Sequence, residues 1–290
     1  MEFPPKPWPV GEADATEPLV RRVLAANPSA FTFTGTQSYV VGAAGDVAVI
    51  DPGPLEDDHI EALLAAIGDA KVSAIVCTHT HKDHSPAAAP LAERTGAPII
   101  GCAPLVLSDD GPRSDASFDP TYAPDRVLAD GESIAGEGWT LTAVATPGHT
   151  SNHLCFALPE SGALFTGDHV MGWSTSVVSP PDGDMTAYMA SLQKLYERED
   201  RVYYPAHGPA VTKPQQLVRG MIGHRRQREN QIVRQIEAGV HQIHAMVPQM
   251  YKGVDDRLWP AAERSVLAHL IDLERRGRVA RSDDTWTIVS

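Results

Sequence analysis

Short apolar runs alternate with polar turns through the first 210 residues, and two periods are legible in them. "QSYVVGAAGDVAVIDPG" sets two apolar runs around a Gly-Asp turn and ends at Asp51-Pro52-Gly53, which predicts a β-hairpin. "DDHIEALLAAIG" spaces Ile60, Leu63, Leu64 and Ile67 three and four apart and stops at Gly68, which predicts an amphipathic helix. "KVSAIVCTH" reads as a buried strand, "SPAAAPLAERTG" as a helix with Pro in its first turn and Gly96 past its end, and "APIIGC" as the next strand. Strand, helix and strand with short links make a βαβ unit. Residues 104–125, rich in Asp, Pro and Ser, predict a long surface loop in the manner of a lid. "WTLTAVATPGHT", "HLCFALPESGALFTGDHV" and "RVYYPAHGP" each predict a strand ending in a polar cluster. "MTAYMASLQKLYERED" predicts a helix with Tyr188, Leu192 and Leu195 on one face.

Beyond Pro214 the helical period takes over. "PQQLVRGMIGHRRQRENQIVRQIEAG" is one long amphipathic segment closed by Gly239, and "QIHAMVPQMY" and "LWPAAERSVLAHLIDLERRG" are two more. "RVARSDDTWTIVS" alternates as a hairpin, and this order is that of a winged-helix module. The expected division is therefore a domain over 1–213 and a linker helix plus winged helix over 214–290. The first residues, "MEFPPKPWPVGEADATEP", read as a proline-stiffened arm laid over the surface. They lack the basic flank and apolar core of a secretory signal.

Composition narrows the partners. No stretch has the roughly 18 consecutive apolar residues that a spanning helix needs, so no membrane partner is expected. Cys77, Cys102 and Cys155 have no x-x spacing, which suggests buried free thiols in a reducing compartment and a cytoplasmic location. The net charge of −13 is uneven: from Pro214 onward there are 12 Lys+Arg against 9 Asp+Glu, and before it 12 against 28. An acidic body argues against tight charge-driven binding of nucleic acid, whereas the mildly basic tail keeps a polyanion partner open.

The chemistry gathers where the predicted strands end. "VCTHTHKDHS" packs three histidines and an aspartate into six positions: His79, His81, Asp83 and His84. His149 in "TPGHT", Asp168 in "TGDH" and His207 in "PAHGP" follow later strands. Carboxyl ends of strands line one edge of an α/β sandwich, where ligand sites form. Imidazole and carboxylate suit zinc, and seven such groups exceed one tetrahedral site but suit two neighbouring ones. A carboxylate bridges two cations where an imidazole does not, which makes Asp168 the natural bridge. Cys77 reads as a buried strand residue, and His153 and His169 as capping or hydrogen-bonding neighbours of the ligands. Trp173, Ser174 and Thr175 are candidates to line a substrate cleft, with core packing the competing reading for Trp173. His224, beside Arg225 and Arg226, fits a solvated basic face as well as a substrate contact.

Residues 79–84 resemble the H-x-H-x-D-H hallmark of the metallo-β-lactamase fold superfamily, and His149, Asp168 and His207 come in that family's order. "TPGHTSNH", "TGDHVMGWSTSVVSPPDGDM", "YPAHGP" and "HRRQREN" followed by a winged helix are similar to the β-lactamase-like protein 2 group, over roughly residues 30 to 288. The resemblance implies an α/β fold: an αββα sandwich with metals between two sheets at one edge, followed by a small winged-helix domain. It implies two zinc ions per chain. His79, His81 and His149 would hold one, Asp83, His84 and His207 the other, and Asp168 both. It further implies a hydrolase that uses a metal-bridging hydroxide, with Asp83 orienting it.

The substrate is left between a small thioester or lactone, as in the glyoxalase II branch, and single-stranded RNA, as for the endoribonucleases of the named group. True β-lactamases of the superfamily place Cys where Asp168 stands, which argues against antibiotic hydrolysis. Diiron members carry Glu where His81 stands, which favours zinc. A mononuclear iron dioxygenase of the same fold and a nucleic-acid-binding regulator with an inert front domain are the rival classes.

Overall fold

A computed structural model describes residues 8–43, 45–106 and 118–289. Its first sheet has seven strands in sequential order: β1 (Ala13–Glu17), β2 (Val20–Leu24), β3 (Gln37–Val41), β4 (Asp46–Ile50), β5 (Lys71–Cys77), β6 (Ile99–Gly101) and β7 (Arg126–Val127). β1 to β4 pair antiparallel, whereas β4 to β7 run parallel. Parallel pairing needs a crossover, and α1 (Asp57–Ile67) and α2 (Ala88–Thr95) supply it for β5 and β6 while packing on the sheet. Gly96 closes α2 in the left-handed conformation that its lack of a Cβ permits.

The second sheet runs β12-β11-β10-β9-β8, from β8 (Ser133–Gly136), β9 (Trp139–Ala145), β10 (Leu154–Leu158), β11 (Ala163–Gly167) and β12 (Val202–Pro205), with α3 (Met185–Tyr196) before β12. Alternation along β10 explains its unbroken apolar run. Leu154, Phe156 and Leu158 join the core between the sheets with Val40, Ile75 and Phe165, while Cys155 and Ala157 face an outer core with Tyr188, Leu192 and Leu195 of α3. The result is a sandwich of two sheets with helices outside.

The chain continues as α4 (Pro214–Glu237), α5 (Ile243–Met250), a single 3₁₀ turn at Asp256–Leu258, α6 (Trp259–Arg275) and the hairpin β13 (Val279–Ser282) and β14 (Thr285–Ile288), a winged-helix order. α4 is shared by two cores. Val218, Met221 and Ile222 complete the outer sandwich core, whereas Ile232 and Ile236 belong to a separate core with Val266, Leu270 and Trp286.

Three expectations change. Part of the anticipated surface arm is β1, an edge strand paired to β2 from Ala13 opposite Val23. "ADATE" carries no strand signal of its own, because an edge strand is held by its neighbour's backbone groups. "HLCFALPESGALFTGDHV" is two strands, β10 and β11, reversed by a turn in which Gly162 N donates to Pro159 O at 3.2 Å. Of the anticipated loop 104–125, residues 107–117 lie outside the described residues. Its later part is fastened beside the histidine loop, since Asp119 N donates to Thr80 O at 2.6 Å and Ser85 Oγ to Asp119 at 2.9 Å. Cys77, Cys102 and Cys155 are free and buried. No helix among the described residues is long and apolar enough to cross a membrane.

Candidate metal centre

Each proposed ligand follows the carboxyl end of a strand: His79, His81, Asp83 and His84 follow β5, His149 follows β9, Asp168 follows β11 and His207 follows β12. The loop after β5 is wound tightly, with His84 N and Ser85 N both donating to His81 O at 2.9 and 3.2 Å. Gly148 makes the turn before His149 at φ +138°, where any Cβ would collide with the backbone of Tyr188.

Hydrogen bonds on the far side of four imidazoles fix which nitrogen faces the centre. His149 Nδ1 donates to Val177 O at 2.6 Å, and His207 Nδ1 to Gly35 O at 3.3 Å. His84 Nδ1 donates to Asp51 Oδ2 at 3.0 Å. Thr78 Oγ1 donates to the same carboxylate, so it accepts from His79 Nδ1 at 3.0 Å. All four Nε2 atoms are thereby turned inward, the side that a metal-binding histidine offers to a cation.

The inward atoms fall into two groups. His79 Nε2 and His149 Nε2 lie 3.0 and 3.1 Å from His81 Nδ1. That is close to the donor spacing around one tetrahedral cation with metal–nitrogen bonds of roughly 2.0–2.1 Å. His207 Nε2 and His84 Nε2 lie 3.2 and 3.4 Å from Asp83 Oδ2. Asp168 stands between the groups: Oδ2 is 3.6 Å from His149 Nε2, while Oδ1 is 3.2 Å from His207 Nε2 and 3.6 Å from His84 Nε2. Within each group, the four atoms of His79, His81, His149 and Asp168 and the three of Asp83, His84 and His207, all ligand atoms lie within 4.8 Å of one another. His84 Nε2 and Asp168 Oδ1 are buried with no hydrogen-bond partner. A buried polar atom left without a partner is costly, and this donor set fits divalent cations that would satisfy both atoms.

Electrostatics divides the groups in the same way. Burial and the neighbouring imidazoles push His79 well below the usual histidine range and His81 down to about 3, which keeps both neutral and ready to bind. Burial also opposes a charge on His207, but Asp168 and Asp83 outweigh it and lift it to about 9. Asp83 and Asp168 stay ionised despite burial because His84 and His207 hold them well below the usual carboxylate range.

The metallo-β-lactamase superfamily profile matches residues 31–207, more than half of the chain, and spans all seven of these groups. The chain belongs to the metallo-β-lactamase superfamily. A β-lactamase-associated winged-helix domain matches residues 243–286. The β-lactamase-like protein 2 homolog of Drosophila melanogaster is 33% identical, covering 91% of this chain and 91% of that protein. An atrochrysone carboxyl ACP thioesterase of Cryptosporiopsis sp. is 31% identical over 84% of this chain and 71% of its own length. Among solved structures, a β-lactamase domain protein from Burkholderia ambifaria superposes with a TM-score of 0.76 at 20% identity, covering 96% of this chain and 95% of its own, a likeness of fold.

In this metallo-β-lactamase-fold, metal-dependent hydrolase, a cavity of about 210 Å³ opens onto His81, Asp83, His149, Asp168 and His207. Trp173 and Thr175 line it, with Phe31, Met171 and Val177, and Trp173 stacks on Phe33 at 4.8 Å. His224 lies elsewhere, on α4 near His269, and is not among the residues lining the cavity.

His153 hydrogen-bonds as expected, accepting from Asp168 N at 3.3 Å while its Nδ1 meets Thr146 Oγ1 at 2.9 Å. His169 departs from expectation. Neither of its ring nitrogens has a hydrogen-bond partner, and the ring packs 4.7 Å from that of Tyr188, held neutral by burial. Asp51 is the residue that sequence reasoning missed. It is buried, and it serves Thr78 N, Thr78 Oγ1 and His84 Nδ1 together. Its one signal was its place at the end of a predicted strand, before Pro52-Gly53.

Proposed function

We propose that this chain is a dinuclear zinc hydrolase that cleaves a carboxylic ester-type bond, with a thioester as the preferred class. His79, His81 and His149 would hold one cation and Asp83, His84 and His207 the other. Asp168, with one oxygen towards each group, carries the dinuclear reading. Two such cations supply Lewis acidity and make water nucleophilic near neutral pH. The chain's own groups do the rest. Asp83, fixed between His84 and His207 at the cavity wall, would orient the attacking water. Phe31, Met171, Trp173 and Val177 seat an apolar acyl group and exclude bulk water. We take residues 1–213 as the hydrolytic part and 214–290 as the linker helix and winged helix.

Among the described residues no Lys or Arg lines the cavity, so no basic side chain there pairs with a phosphate. The names of thioesterase relatives agree with that preference. The test is elemental analysis of the purified protein beside its Asp168→Ala variant, each assayed on acyl thioesters, lactones and single-stranded RNA. Near two zincs per chain, thioester turnover and loss of both in the variant are expected. One iron and no zinc would replace this reading with an iron dioxygenase. RNA cleavage without thioester turnover would replace the substrate.

A further inference from the structure

The segment from Asp168 to Val177 has a proposed ligand at one end and, at the other, the carbonyl that orients His149. It contains no helix or strand, and Met171, Trp173, Ser174, Thr175 and Val177 from it line the cavity. Its shape therefore depends on fastenings from outside. Thr166 Oγ1 holds Val170 O at 2.7 Å, Gly172 N donates to His207 O at 3.0 Å, and Tyr188 hydroxyl donates to His169 O at 3.1 Å. Ser176 Oγ ties the segment to itself through His169 O at 2.8 Å.

The fastening next to Val177 comes from the far side of the chain. Arg225 of α4 donates from Nη2 to Ser176 O. Its side chain is 3% exposed, with Nη1 3.5 Å from Ser265 Oγ and the guanidinium 5.2 Å from the Tyr188 ring centroid. Among the described residues it has no carboxylate partner, and its Nε has no hydrogen-bond partner at all. A buried cation without an acid is a poor way to gain stability, since desolvation costs several kcal/mol and an apolar residue of similar volume packs at lower cost. Yet its charge-assisted bond to a carbonyl is stronger than a neutral one and fixes the peptide it grips. That peptide joins Ser176 to Val177, and the next carbonyl along is the one that takes the His149 proton.

We infer that Arg225 is a positioning residue of the metal centre. From α4 it holds the Ser176–Val177 backbone so that Val177 O keeps His149 Nε2 turned towards His81 and Asp168. The centre is thereby completed by the helix that also carries the winged-helix core. The inference rests on His149 being a metal ligand.

The test compares Arg225→Met, Arg225→Lys, His149→Ala and Val266→Ala in the full-length zinc protein. The readouts are zinc affinity by chelator competition, the visible spectrum of the cobalt-substituted protein, and Tm. Arg225→Met is expected to weaken zinc at the His149 site about 10- to 100-fold, as loss of a ligand's supporting hydrogen bonds does, and to change the cobalt bands. Arg225→Lys should recover part of both. Val266→Ala, which hollows the separate core around α6, should lower Tm and leave affinity and spectrum at parent values. Parental affinity and spectrum in Arg225→Met, or equal changes in Val266→Ala, would overturn the inference while leaving the ligands in place. Unchanged binding in His149→Ala would remove the ligand assignment itself. If Arg225→Met does not fold, Arg225→Lys and Arg225→Gln carry the same comparison.

Discussion

Asp51 and His84, 33 residues apart, meet at 3.0 Å, and that bond decides which face of the His84 ring is offered to the metal centre. Asp51 holds this position with φ at +47°, a left-handed conformation that Asp and Asn tolerate better than other side chains. Asp51→Asn should therefore keep the backbone while losing at least one of three accepted hydrogen bonds, since an amide has one oxygen where the carboxylate has two. The expected result is metal affinity about 10- to 100-fold weaker with little change in Tm, measured by chelator competition and calorimetry. Parental affinity would mean that His84 needs no such orienting partner.

Gly148 offers a test of the turn that delivers His149. Alanine there would have to adopt φ near +138° and share space with the backbone of Tyr188. Gly148→Ala should cost about 1–3 kcal/mol of stability, through strain and overpacking together, and should lower metal content. A variant with unchanged Tm and full metal would show that α3 yields more easily than its packing implies.

His269 makes stability depend on pH. The ring is buried on α6 with neither nitrogen hydrogen-bonded, and burial lowers it to about 3 from 6.5, helped by Arg225, His224 and Arg228 of α4 and by Arg276. Below about pH 6.5 the unfolded chain takes a proton that the folded chain refuses until about pH 3. Stability should fall as pH drops through that window and hold above it. His269→Leu should flatten the fall, read as a smaller Tm difference between about pH 7.5 and 5. An identical slope in both proteins would assign the acid sensitivity to other groups.

Ionic strength separates the two substrate classes without a variant. Hydrolysis of an uncharged thioester in a cavity lined by no Lys or Arg among the described residues should have a flat kcat/KM between about 50 and 200 mM salt. Cleavage of RNA through several phosphate contacts would fall by orders of magnitude over the same range. A steep fall on the thioester itself would mean that cations outside the cavity guide the substrate.

Much of this was legible in the chain because it is local. The short apolar run of β5 and the three-and-four spacing in α1 each need only a few residues, and so does the crowding of His79, His81, Asp83 and His84 into one loop. β1 was not legible, because its five residues carry no pattern and are held by β2. The placement of His224 away from the cavity was not legible either, since a basic helical face looks the same whichever way α4 is rotated.

By itself the sequence determined which residues have metal-binding chemistry, their order, and their position after apolar strands, since side-chain chemistry and periodicity are properties of short segments. Only the tertiary structure decided how those groups are aimed. His207 is turned by Gly35 O 172 residues away, His149 by Val177 O 28 away, and Val177 is steadied through Ser176 by Arg225. The physical reason is that a hydrogen bond depends on ångström-scale distance and direction, which only the packing of the two sheets and α4 brings about.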